Sequence, residues 1–188
     1  MQRYHRNIGL CYLAVMNLNE NALNQGAAAG GLVIVMKLIA YLIGVEAYLG
    51  TSVGLGSMVF IIAGMCISCI ATRKADGHLP FRAAFYTAWS AAAVSTFLVF
   101  VFEAVLFTFV DSQMAEKVLD FTMESMQADL SGLADLPEAL IEDTKSSIIW
   151  WSGAFGKALG WLIGLIFWAV LAAIVGAVLK REEPNAIH

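Results

Sequence analysis

Four ionisable side chains lie inside or at the rim of long apolar runs: Lys37, Glu46, Glu103 and Lys157. A charge at membrane depth is costly enough to be kept only where it is paired or used. Amines and carboxylates placed there can form an ion pair, relay protons, or pass ions or a small polar solute. Counted at ~1.5 Å per residue from the ends of the runs, Glu46, Glu103 and Lys157 fall toward one interface and Lys37 lies nearer the midplane. The matching depths of Glu103 and Lys157 predict an ion pair joining the third and fourth runs. Two alternatives stay open: Lys157 snorkelling to the headgroups, and a polar path that uses Glu103 and Lys37.

The remaining reactive side chains form no recognisable constellation. Cys66 and Cys69 share one helical face inside an apolar run, without the βαβ setting of a redox motif, and read as packing residues. His5, His78 and His188 are too scattered to hold a metal. No phosphate-binding glycine loop, Ser/His/Asp set or zinc-protease motif occurs. No catalytic, cofactor or metal residue is assigned, and the chain is expected to be non-enzymatic.

What must position the four charges is a set of apolar segments. Hydrophobic residues make up 60% of the 188 and charged residues 14%, against ~25% charged in an average soluble domain. This composition predicts an all-α membrane protein with four transmembrane helices, at about 26–45, 53–71, 81–110 and 148–179, each near or above the ~20 residues needed to cross hydrocarbon. The third and fourth runs exceed that length and must tilt or project. Residues 1–24 read as a polar N-terminal segment, 25–181 as the membrane domain and 182–188 as a tail. Met16, followed by Asn17-Leu18-Asn19-Glu20-Asn21, resembles an ordinary start, so 1–15 are read as a start-site extension, and no signal peptide is expected. A turn at 47–52 pivots on Gly50, and 73–80 is a loop whose Pro80 can begin the next helix.

Between the third and fourth runs, residues 111–147 carry nine acids and two lysines. Leu119, Met123, Met126, Leu130 and Leu133 recur at spacings of four and three, one stripe of an amphipathic helix. Leu136-Pro137 should end that helix before a second one at 138–145. The stripe is expected to lie on the membrane or on its own bundle, with a protein partner as the alternative. Orientation follows from the basic residues: Arg3, Arg6, Arg73, Lys74, Arg82, Lys180 and Arg181 fall on one side, Lys117 and Lys145 on the other. That imbalance places both termini in the cytoplasm and the acidic insertion outside it. A net charge of -4 without a basic patch argues against nucleic acid as a partner.

Gly156, Gly160 and Gly164, continued by Ala172 and Gly176, form a ridge of small residues on the fourth run, the kind of surface that lets another helix approach closely in lipid. The ridge predicts packing inside the bundle, a homodimer, or docking on another membrane protein. Ala84, Ala88, Ala92 and Thr96 have similar spacing on the third run but in its other half, so the two ridges are not expected to oppose each other.

Gly77-His78-Leu79-Pro80-Phe81-Arg82-Ala83-Ala84-Phe85 is similar to a Gly-x-x-x-Phe-x-x-Ala-Phe signature, with Gly77, Pro80, Phe81 and Phe85 as its marks. Phe107-Thr108-Phe109-Val110-Asp111, where the third run meets the acidic segment, also fits, although Ser112 stands where a proline is common. Over about 17–181 the chain resembles the uncharacterised four-helix inner-membrane proteins of bacteria that are classed as a domain of unknown function. The resemblance implies a bacterial inner-membrane location and brings no activity with it. The chain is therefore expected to be an accessory or scaffold component of a membrane assembly, with the lipid bilayer and a membrane protein as partners. The alternative is a small transporter or channel using Glu103 and Lys37.

Overall fold

The computed structural model describes residues 2–111, 113–129 and 138–181, with the backbone alone for 2–19, 115, 126–129, 138–141, 152 and 154. The helices are α1 (Gln2–Ile43), α2 (Val45–Leu49), α3 (Thr51–Asp76), α4 (Phe81–Val105, continued by a π-helical turn, Leu106–Val110), α5 (Met114–Asp129), α6 (Glu138–Ser152) and α7 (Ala154–Leu179). Among the described residues, four stretches are long and apolar enough to span a bilayer: Glu20–Ile43, Thr51–Asp76, Phe81–Val110 and Phe155–Leu179. The protein is an all-helical, four-span membrane protein.

Element ends differ from the sequence reading where backbone geometry outweighs hydropathy. No proline interrupts residues 2–43, so α1 runs straight through the polar segment and through the proposed start at Met16. The 47–52 turn is instead a five-residue helix, α2, set off by Gly44 and Gly50. Gly44 has φ +147°, open to glycine and rarely to other residues. The fourth run is broken at Gly153, so Ile148 to Trp151 belong to α6 and the span begins beyond it. Of the stripe, Met123 is buried against the protein, Leu119 is half-buried and Met126 is described by its backbone alone, while Leu130 and Leu133, with the expected stop at Leu136-Pro137, lie outside the described residues.

Helix α4 is the hub, packing against α1, α3 and α7. It runs parallel to α1, since a Cβ added to Gly26 would lie 2.6 Å from the Ala91 carbonyl oxygen, and one on Gly30 would lie 3.0 Å from that of Ser95. Two glycines four apart thus let the backbones touch, and Ser95 Oγ donates to the Gly26 carbonyl at 2.8 Å across the contact. Helix α7 is antiparallel to α4: Gly176 faces the Phe85 backbone, and Trp89 Nε1 donates to the Leu165 carbonyl at 3.2 Å. Ala84, Ala88, Ala92 and Ala172 are buried in one cluster. The alanines of α4 therefore do meet small residues of α7, but those at its C-terminal end, Ala172 and Gly176, because the antiparallel course brings that end alongside.

The signature residues close this end of the bundle. Gly77 takes a left-handed conformation, φ 75°, to end α3. Leu79, buried, then exchanges two backbone hydrogen bonds with Arg181 at 2.7 and 2.8 Å, tying the α3–α4 loop to the end of α7. Pro80 caps α4, Phe81 is exposed, and Phe85 stacks edge-on against Tyr86.

Candidate functional site

At the opposite end the helices part. Helix α7 packs chiefly on α4, touches α6 and α3 lightly and barely meets α1. Two adjoining cavities occupy the space, of about 920 Å³ and about 450 Å³. Lys37, Gly54, Glu103, Trp151 and Lys157 line both. The larger is a vestibule between the start of α3 and helices α5 and α6, with Thr122, Asp143 and Ser147 among its walls. The smaller runs inward between α1, α3, α4 and α7 and is walled by Val33, Ile61, Phe100, Trp161 and Trp168.

Three of the four charges found from the sequence converge here, with different partners from those expected. Glu103 pairs with Lys37, whose Nζ donates to Oε1 at 2.5 Å. The Tyr48 hydroxyl donates to the same oxygen at 3.4 Å, and its ring lies 5.1 Å from the Lys37 ammonium. The parallel course of α1 and α4 is the reason: it advances both helices together and carries Lys37 to the depth of Glu103. Lys157 instead stands over the face of Phe107, 3.0 Å from the ring centroid, and its Nζ is shielded without a hydrogen-bond partner. Glu46 is exposed on α2, outside the spans.

Local backbone sets these positions. The π-helical turn closes with Asp111 N–H donating to the Leu106 carbonyl at 2.8 Å, and the extra residue in the turn presents Phe107 to Lys157. Gly44 and Gly50 fold α2 back so that Tyr48 is buried over the ion pair. Burial, and then the charge of Glu103, hold the Tyr48 phenol above its ordinary pKa, so it stays a donor.

The glycine ridge divides into separate roles. A Cβ on Gly156 would collide with the Trp150 carbonyl, so this glycine makes the α6–α7 junction. Gly160 faces the Trp151 ring at 3.6 Å and Gly164 has nothing within 4 Å; both line the inner cavity. Tyr48, Ser57, Thr96 and Trp161 were not picked out as site residues in the sequence. Trp161 Nε1 donates to Thr96 Oγ1 at 3.2 Å, and the spacing of Thr96 from Glu103, two helical turns along α4, was the readable signal.

The roof is fastened at Asp111, which accepts from Lys117 Nζ at 2.6 Å, from the Gln113 amide at 3.2 Å and from the Tyr41 hydroxyl at 3.4 Å. The hydrogen bond from Lys117 holds the Asp111 carboxyl below its usual range and holds the Lys117 ammonium above its own. A depressed carboxyl stabilises the folded form above its unfolded pKa and loses that contribution as pH falls through the folded one; the raised lysine loses its share only as pH rises through its own elevated value. Amide exchange in the first turn of α5, corrected for intrinsic rates, should therefore stay flat through neutral pH and accelerate below the ordinary aspartate range. Lys117→Met should move that onset to higher pH.

Comparison with known proteins gives one match: the family model described as Protein of unknown function (DUF4199) fits residues 24–181. No curated protein and no solved structure matches the chain.

Proposed function

The chain belongs to the DUF4199 family, whose description assigns no activity, so the cavity is the best guide to its role, and we propose that this membrane protein is a small, non-enzymatic solute-handling protein of the transporter or channel class. The single observation that carries the reading is the convergence of Lys37, Glu103 and Lys157 on one pair of connected cavities. Charges kept at such depth on a cavity wall are the usual marks of a solute or ion pathway. In this reading the basic end of the bundle, with Arg73, Lys74 and Arg181, faces the cytoplasm of a bacterial inner membrane. The vestibule under α5 and α6 then opens to the other side.

An accessory or scaffold role is less well supported. Gly156 is taken up by the α6–α7 junction, Gly160 and Gly164 line the inner cavity, and Met114 and Met123 of the amphipathic segment are buried on the protein itself. The exposed apolar surfaces left for a membrane partner, such as that around Ile166 and Val170 of α7, are equally suited to lipid.

Water access tests the reading directly. In a background lacking Cys11, Cys66 and Cys69, Ser57→Cys places a thiol on the inner cavity wall, and Val35→Cys places one on an exposed apolar face. A charged, membrane-impermeant thiol reagent added to oriented vesicles should modify the first from the α5–α6 side only and leave the second untouched, since only the thiolate reacts. Failure to modify the Ser57→Cys protein from either side would overturn the cavity as a solute site.

A further inference from the structure

The inner cavity carries a charge pattern that the vestibule lacks. Its walls hold two ammoniums, Lys37 and Lys157, and one carboxylate, Glu103. Glu103 is already engaged by Lys37 and Tyr48. Asp143 lines the vestibule and does not line the inner cavity. The inner cavity therefore carries one positive charge in excess, and the Lys157 Nζ is enclosed with no hydrogen-bond partner. An ammonium in that condition is expensive, and contact with the Phe107 ring offsets only part of the cost.

The shape alongside Lys157 is equally specific. Gly160 and Gly164 leave a groove along α7 where larger residues would fill it, and Trp161 and Trp168 form apolar walls. The volume, about 450 Å³, lies within the ~300–1,000 Å³ of small-ligand sites. Because α7 touches α3 only lightly, the groove has a lateral way in from the bilayer between those two helices.

We propose that the inner cavity binds a long-chain carboxylate, its head on the Lys157 ammonium, which turns off the Phe107 ring to meet it, and its chain along the Gly160–Gly164 groove against Trp161 and Trp168. A monoanion matches the single uncompensated charge. A phosphate monoester carries about -1.5 to -2 near neutral pH and would need a second cation, while Lys37 is committed to Glu103. The proposal rests on the solute-handling reading and names the class of solute.

The test uses the purified full chain in detergent and bromine-labelled stearate, which quenches tryptophan fluorescence on contact. Saturable quenching is expected, lost in the Trp151→Phe/Trp161→Phe/Trp168→Phe protein. The methyl ester of the same chain, which has no charge, should bind at least roughly tenfold more weakly, the value of one charge-assisted hydrogen bond. Lys157→Gln should weaken the acid by a similar factor and leave the ester unchanged, while Lys157→Arg should keep the preference for the acid. Equal binding of acid and ester to the unaltered protein would overturn the proposal whatever the variants do, as would tighter binding of a brominated lysophosphatidic acid. Thiol modification of the Ser57→Cys protein together with absent stearate binding would sink this inference alone; absence of both would sink the solute-handling reading with it.

Discussion

Gly26→Leu is expected to destabilise the bundle strongly, whereas Gly31→Leu, five residues along the same helix, is expected to be silent. The difference lies in what each position faces. A first side-chain carbon on Gly26 already lies 2.6 Å from the Ala91 carbonyl oxygen and 3.1 Å from its Cα, both backbone atoms that cannot turn aside; Gly31 has nothing within 4 Å. Leucine at Gly26 must push α1 off α4, which also breaks the Ser95 hydrogen bond to the Gly26 carbonyl. Overpacking in a filled interior costs ~1–3 kcal/mol, and in lipid there is no hydrophobic drive between helices to absorb it. Thermal unfolding of the detergent-solubilised protein, followed by gel filtration, would measure it. Equal midpoints for the two variants would refute the close crossing of α1 and α4.

The second large effect is an asymmetry within the ion pair. Removing one partner of a fully buried pair costs ~3–5 kcal/mol, because the other charge is stranded. Here the two side chains are 17% and 26% exposed, so the lower end applies, about 2–3 kcal/mol for Glu103→Leu. That substitution leaves two ammoniums, Lys37 and Lys157, on one cavity with no carboxylate between them. Lys37→Met should cost less, about 1 kcal/mol, since Glu103 keeps the Tyr48 hydroxyl and the nearby charge of Lys157. Combining the two substitutions should recover part of the loss, giving a favourable coupling in a double-mutant cycle. Equal costs for the two single variants would mean that Lys157 does not share in holding Glu103.

The four spans, the acidic insertion and its amphipathic helix were legible because hydropathy and helical periodicity report solvent directly. The charges at Lys37, Glu103 and Lys157 were legible as suspects for the same reason. Their pairing was not, because depth counted along each helix says nothing of which helices are neighbours or of their direction. Glu103 meets Lys37 because α1 and α4 lie side by side and parallel, a fact encoded in Gly26 and Gly30, whose four-residue spacing could have been read as a contact surface. The ridge of α7 divides: Gly156 packs on the backbone of α6, in keeping with the helix contact that the spacing suggests, while Gly153 breaks the helix before it and Gly160 and Gly164 face a groove. Small residues mark close approach or open space, and spacing alone does not distinguish them.

The pair of hydrogen bonds between Leu79 and Arg181 has a mechanical meaning. A helix pinned at one end is free to swing only at the other, so any opening of α7 would work as the arm of a pair of forceps, with its jaws at Lys157 and its hinge at the basic end of the bundle. Such a device widens and narrows a single mouth. Passage through to the far side would require the hinge itself to unfasten, so the Leu79–Arg181 bridge is where a one-mouthed receptor and a two-mouthed carrier would part company.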